Sequence, residues 1–362
     1  MPPMRIKNCL RYLRNFVLNK VTKRKKPYSA QIEVTLNCNA LCPFCSIPYL
    51  PSSLTSKEMS TAEIKYIIDE LAILGVNALS FTGGEPTLRK DLPELIYHAG
   101  VEHDFMNGIA TNGYLMPKLF RENGKLNGLD YILLSLDYPN AKLQNKQRGL
   151  KIFDKVLKTI DYASTREIKV ILSTVVMRDN LEFLDEICEL AEKNQCSIEL
   201  YPCEDIIRDF SGVQYKVENI DELIPSISKW ANMIRILQRK YKNILTDPLS
   251  VQIIEQGGFG GFPNYNQKIL RCHVAQSYLF IRNDGIVNFP CKIHPLLSIN
   301  ALKYPISEIY NISEVREIMQ NHDDFVFCTN CRLGCAIASS MPATWKTLAS
   351  KYIQGYLNGN LK

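Results

Sequence analysis

Residues 38–45 read Cys38-Asn39-Ala40-Leu41-Cys42-Pro43-Phe44-Cys45, three thiols at C-x3-C-x2-C spacing. Three cysteines so close can ligate three irons of a cubane cluster and leave the fourth iron without a protein ligand, open to a small molecule. A structural metal site is closed instead, with every position filled by a side chain. A strand-like run over 31–36 leads into this loop. Forty residues on, Gly83-Gly84-Glu85-Pro86 closes a second strand-like run, Ala78-Leu79-Ser80-Phe81-Thr82.

Working outward, β-rich runs alternate with helical periodicity. Strands are expected over 31–36, 78–82, 107–111, 131–137, 169–176 and 197–201. Helices are expected between them, over 61–74, 92–99, 115–122, 152–163 and 181–193, the first capped by Ser60. Each parallel return needs a crossover, so six such repeats predict an α/β fold with a parallel sheet. Sites in such sheets gather at the carboxyl ends of strands. The cysteine loop, the GGEP turn, Thr111-Asn112-Gly113 and Ser135-Leu136-Asp137 all fall there. After Tyr201 the alternation stops. A long helix is expected over 220–242, a glycine-rich loop over 257–263 and a hairpin of 277–282 with 286–289 turned by Asn283-Asp284-Gly285. A helix near 307–319, a cysteine cluster and a terminal helix over 345–357 follow. The expected organisation is an arm, 1–26, a barrel, 27–245, and a small α+β unit, 246–362.

Composition is ordinary for a chain of 362 residues: 46% hydrophobic, 22% charged, twelve cysteines. No apolar run reaches the eighteen residues a spanning helix needs, and the start lacks the apolar core of a signal peptide. A cytoplasmic location is expected, and clustered cysteines in such a chain point to metal rather than disulfides. The net charge of +6 is unevenly spread: Arg5, Lys7, Arg11, Arg14, Lys20, Lys23, Arg24, Lys25 and Lys26 precede any acid, which leaves the rest at −3. Ile6, Leu10, Leu13, Val17 and Val21 recur there at helical spacing. The arm reads as a helix docked on the barrel or as a peripheral contact with an anionic membrane surface. It lacks the aromatic-and-basic pattern of a nucleic-acid groove, which argues against that partner.

The cysteine trio and GGEP together resemble the radical S-adenosylmethionine (SAM) enzymes. The resemblance implies a partial (β/α)6 barrel, a [4Fe-4S] cluster with an open iron on Cys38, Cys42 and Cys45, and SAM chelated there. It implies Glu85 against the methionyl ammonium, with Gly83 and Gly84 letting the backbone come close. Phe44 takes the place of the family's aromatic residue near adenine. Ser135 and Asp137 stand where members contact the cofactor, although SLDYP here departs from the usual SLDG. Thr111 and Ser173, polar and near strand ends, are candidates for the same pocket or for core polar groups. Reductive cleavage needs a low-potential electron, and thiolate-ligated cubanes reach roughly −700 mV; a ferredoxin- or flavodoxin-type donor is implied. A zinc knuckle would need a histidine beside the thiols, and the nearest is His98.

Cys272, Cys291, Cys328, Cys331 and Cys335 resemble the auxiliary-cluster domains of SPASM and twitch type, five cysteines standing where the full SPASM pattern has seven. One auxiliary [4Fe-4S] cluster is expected, held by Cys272, Cys291 and two of the last three; zinc is the alternative. Cys188 and Cys196 read as buried apolar cysteines. Cys203, after the sixth strand, reads as a hydrogen or proton donor in the substrate pocket or as a packing residue. The loop over 257–263 is a candidate cover that keeps water from a radical. The function expected is cleavage of SAM to a 5′-deoxyadenosyl radical that abstracts hydrogen from an unactivated carbon. The tail Cys328-Thr329-Asn330-Cys331-Arg332-Leu333-Gly334-Cys335 also resembles the adenosylhopane-synthase-like branch, and with the basic arm it favours a lipid-like substrate. The alternatives are a SPASM-type peptide or small-molecule maturase and, in another class, a non-catalytic iron–sulfur carrier.

Overall fold

Strand β1, Ser29–Thr35, lies inside a nine-stranded sheet, between the strands Tyr278–Ile281 and Ala78–Gly83. The computed structural model describes residues 14, 15, 17, 26–210, 212–259, 270–321, 325–328 and 330–341. Most of the basic arm, the loop from 260 onward and the expected terminal helix lie outside the described residues.

The six expected parallel strands form in chain order: β1, then β2 (Ala78–Gly83), β3 (Met106–Thr111), β4 (Tyr131–Ser135), β5 (Lys169–Val176) and β6 (Ser197–Pro202). Between them run α1 (Thr61–Leu74), α2 (Leu92–Tyr97), α3 (Met116–Asn123), α4 (Ala141–Arg148), α5 (Phe153–Ser164) and α6 (Leu184–Lys193). Helix α1 starts where expected because Ser60 and Glu63 make a reciprocal capping box, and it stops at Gly75, left-handed at φ +92°. Strand alternation sorts the side chains: in β4, Ile132 and Leu134 are buried against the helices, while Tyr131, Leu133 and Ser135 face the other way. The core is a layer of Ile32, Phe81, Ile109, Leu134 and Leu172 against Ile64, Ile68 and Leu71 of α1 and its neighbours. The inner side is polar. Tyr278 Oη donates to Gln31 Oε1 (2.7 Å), and Gln31 Nε2 donates to Ser80 Oγ (3.2 Å).

The chain beyond β6 departs from expectation in several places. A short hairpin, β7 (Arg208–Phe210) with β8 (Val213–Tyr215), went unforeseen. The long helix expected from residue 220 begins only at Ile227: residues 220–222 form one 3-10 turn, Pro225 interrupts, and α7 runs Ile227–Lys240. After α8 (Pro248–Glu255), the expected hairpin forms as β9 (Tyr278–Ile281) and β10 (Ile286–Pro290), and a third strand, β11 (Pro295–Asn300), extends it. These strands join the main sheet: β9 pairs with β1, parallel, from Ser29↔Tyr278 to Ile32↔Ile281. The helix expected near 307–319 is two pieces, Ile306–Ile309 and α9 (Ser313–Asn321), and α10 (Gly334–Ser340) follows the last cysteines. Among the described residues no helix is long and apolar enough to cross a membrane. Asn15, from the arm, is buried and donates to Gly75 O (2.5 Å) and Asn77 Oδ1 (2.7 Å) at the end of α1.

Candidate active site

The loop after β1 and the turn after β2 are stitched together by backbone. Gly84 N donates to Thr35 O and Glu85 N to Asn37 O, both at 2.8 Å. A Cβ on Gly83 would stand 2.1 Å from Thr35 O, and one on Gly84 2.2 Å from Asn37 O. The glycines are therefore required by the segment leading into the cysteines: the close approach is of protein backbone to protein backbone. The stitching also fixes where Glu85 points. That side chain is fully buried, and its carboxylate accepts from Thr87 N (3.1 Å), Thr87 Oγ1 (2.5 Å), Thr111 Oγ1 (2.6 Å) and Asn112 N (2.7 Å). Burial pushes its pKa up, against the pull of these donors. Among the described residues no cation pairs with it, so the cradle suits an incoming ammonium. Thr111 thus serves Glu85.

Cys42 is buried, and Cys38 and Cys45 are half-buried. Burial pushes the Cys38 thiol up to about 11, with Glu85, Cys42 and Cys45 adding to the effect; burial raises Cys42 too, opposed by Arg148. Such thiols give up their protons to a metal rather than to water. A single tetrahedral zinc, with Zn–S near 2.3 Å, draws its sulfurs to roughly 3.8 Å of one another. Among the described residues the one trio of possible ligands lying within 4.8 Å of one another is Asp69, His98 and His103. The cysteine trio is not such a group, and three buried or half-buried thiols with no histidine among them suit three corners of a cluster.

The structure adds Arg148, which sequence reasoning missed. Its guanidinium lies 2.6 Å from Asp137 Oδ2, donates to Cys42 Sγ (3.5 Å) and covers the Phe44 ring at 5.3 Å, while its carbonyl accepts from Leu41 N (2.9 Å). Burial works against its charge, but Asp137 and Cys42 more than offset that, and its pKa rises. Asp137 is fully buried, also accepts from Val175 N (3.1 Å), and is occupied by this ion pair. Ser135 and Ser173 are register partners on β4 and β5, both half-exposed on the inner side. Cys203 is buried with Tyr138, Met177 and Ile220, against Phe44, and burial pushes its thiol up to about 12. Its surroundings are those of a packing residue. The next side chain, Glu204, has a buried Oε1 without a hydrogen-bond partner, and burial raises its pKa to about 8 despite Arg332 nearby. The β7–β8 hairpin closes over the loop: Phe210 packs on Leu36, Ile47 and Leu50, and Arg208 pairs with the buried Glu33 (2.7 Å).

All five later cysteines line one cavity of about 50 Å³, walled by Phe259, Tyr278 and Phe280. Cys331 is held in place by reciprocal backbone bonds with Phe259 (2.8 and 3.2 Å). Burial lifts Cys272 well above the ordinary thiol range, and it feels Cys331, Cys291 and Cys328; Cys335 is exposed. Backbone N–H groups of Val274 and of Ile293 and His294 point at Cys272 and Cys291, as donors to cluster thiolates do. Tyr278 both lines this cavity and reaches Gln31 inside the barrel.

The cysteine loop after β1, the turn after β2, Thr111 and Ser135 sit at the carboxyl ends of the parallel strands, and residues 32–191 match the family model described as "Radical SAM superfamily". Residues 32–191 thus resemble a radical SAM domain, a resemblance that implies a [4Fe-4S] cluster and SAM as cofactors. It is 36% identical over 169 residues to PqqA peptide cyclase of Granulibacter bethesdensis, covering 46% of this chain and 44% of that protein. It is 26% identical over 302 residues to the AdoMet-dependent heme synthase of Methanosarcina barkeri, covering 78% and 82%. The chain thus spans less than half the length of the first relative and about four fifths of the second. In fold it resembles Streptococcus suis SuiB bound to S-adenosylmethionine, with a TM-score of 0.64 at 16% identity over 95% of this chain and 78% of that one.

Proposed function

We propose that this chain cleaves SAM reductively and uses the resulting 5′-deoxyadenosyl radical to abstract hydrogen from a peptide substrate. When bound, the cluster supplies the electron that splits the sulfonium. Cys38, Cys42 and Cys45 hold it, Glu85 receives the methionyl ammonium, Phe44 flanks the adenine, and Ser135 and Ser173 line the inner wall. Arg148, braced by Asp137, steadies Cys42 and Phe44. The observation that carries the reading is Glu85, a charge-bearing group buried with no cation beside it among the described residues and hydrogen-bonded through the turn that is stitched to the cysteine loop. Cys272, Cys291, Cys328 and Cys331, with the exposed Cys335 beside them, would hold an auxiliary cluster.

A peptide replaces the lipid-like substrate expected from sequence because the first relative acts, by its name, on a peptide, and neither relative is named for a lipid. A second reading, chemistry on an iron porphyrin, is favoured by the length of the match to the heme synthase. The test is anaerobic turnover of cluster-loaded protein with dithionite and SAM, supplied separately with candidate precursor peptides and Fe-coproporphyrin III. Release of 5′-deoxyadenosine together with a mass change in a peptide supports the proposal. A mass change in the porphyrin alone moves it to the second reading. No 5′-deoxyadenosine under any condition leaves an iron–sulfur carrier.

A further inference from the structure

Away from both cysteine sites, α1 and the connection from α2 to β3 bring two imidazoles onto one carboxylate oxygen. The Nε2 atoms of His98 and His103 lie 2.8 and 2.7 Å from Asp69 Oδ1. The backbone sets this up. Residues His98–Glu102 form a π-helical turn closed by His103 N donating to His98 O (3.2 Å), so positions i and i+5 share one face. An α-helix would separate them, and single π turns recur at functional sites. The two rings meet edge to face at 4.8 Å. The turn is backed by Gly100, where a Cβ would stand 2.0 Å from Gly128 O. His98 has a further partner: Nδ1 bonds Glu102. A ligating histidine characteristically gives its other ring nitrogen to such a carboxylate, which fixes the tautomer and raises the ligand's basicity.

We propose that Asp69, His98 and His103 form a second-metal site for a divalent transition ion of the zinc type, with Glu102 as the positioning residue behind His98. Two imidazoles and one carboxylate suit zinc and its neighbours and disfavour magnesium or calcium, which take oxygen ligands. A tetrahedral ion bound at about 2.0–2.2 Å needs its donors roughly 3.3 Å apart, so each N···O pair opens by about half an ångström. Asp69 is half-exposed and free to make that move, and its open side leaves the fourth position to water. Binding replaces the hydrogen bonds between the imidazoles and Asp69, and each ligating nitrogen must then be without a proton. The site lies at the end of the barrel where β3 begins, opposite the carboxyl ends that carry Cys38, Cys42 and Cys45. Its effect is therefore to clamp α1 to the α2–β3 connection.

The test uses the full chain with its clusters assembled, anaerobically, titrated with zinc against a chromophoric chelator. Wild type is expected to bind one more zinc per chain than His103→Ala and to unfold at a higher temperature when zinc is present, a gain His103→Ala lacks. Glu102→Gln keeps every ligand and lies on the surface; it is expected to weaken that zinc 10–100-fold. Equal zinc in wild type and His103→Ala, or an unchanged affinity in Glu102→Gln, overturns the proposal.

Discussion

Under the proposed function, Glu85 is the residue on which SAM recognition would turn. Its carboxylate is held by four donors, so its position is set before any ligand arrives. Glu85→Gln keeps the volume and removes the charge. A hydrogen bond to a charged group is worth about 1.5–3 kcal/mol, so SAM affinity is expected to fall at least tenfold. The check is the SAM concentration that perturbs the EPR signal of the reduced cluster; an unchanged midpoint removes Glu85 from ammonium binding. Arg148 is the second such residue. Arg148→Met would strand the fully buried Asp137 without a counter-charge, a loss of about 3–5 kcal/mol in anaerobic urea unfolding. A loss under 1 kcal/mol would mean that Asp137 does not depend on it. Glu85 was legible in the sequence because glycines and a carboxylate at a strand end form a local pattern. Arg148 was not, since its partners lie 11 and 106 residues away and Ala141–Arg148 has no apolar stripe. Asn140 and Gly149, which cap that helix at either end, were the available signal.

Elements were readable where apolar period and punctuation agreed. Helix α1 has both. Ser60 Oγ accepts from Glu63 N, and Glu63 Oε2 accepts from Ser60 N (2.7 Å) and Oγ (2.8 Å), which holds the Glu63 carboxyl below its usual range. Ser60→Ala is expected to cost about 1 kcal/mol, or about 2 °C in thermal unfolding at neutral pH. The sign with pH follows from the lowered pKa: the contribution is present above the unfolded carboxyl's value and is lost as pH falls through the folded one. The gap between wild type and Ser60→Ala should therefore be widest near pH 7 and narrow near pH 3; a constant gap would place the box outside the titration. Elements went unread where the period was too short to register. Strands β7 and β8 have three residues each, and β11 is an edge strand with Leu296 exposed. Helix α7 starts only at Ile227 because Pro225 interrupts the apolar spacing that begins at Ile220.

At the scale of the whole molecule, a boundary near residue 245 marks a change of pattern along the chain while the hydrogen bonding continues through it. Parallel β9 completes the free edge of β1, the strand that delivers the first cysteine loop. Met59 N donates to Asn283 O (2.8 Å), and the Arg282 guanidinium covers the Phe210 ring at 4.4 Å, so the later segment also braces the helix and hairpin around that loop. The pairing could not be read from sequence, because nothing in either strand of a parallel pair 249 residues apart names its partner. It has a consequence for truncation. A chain ending at residue 245 leaves the whole of β1 as an open edge beside apolar Ala30, Ile32 and Val34, a template for pairing with other chains. Such a chain is expected to aggregate or to elute as oligomers in anaerobic size-exclusion chromatography, and the full chain to unfold in one thermal transition. A monodisperse 1–245 fragment with native far-UV circular dichroism would show instead that the six-stranded unit closes on its own, and that β9 joins a sheet already made.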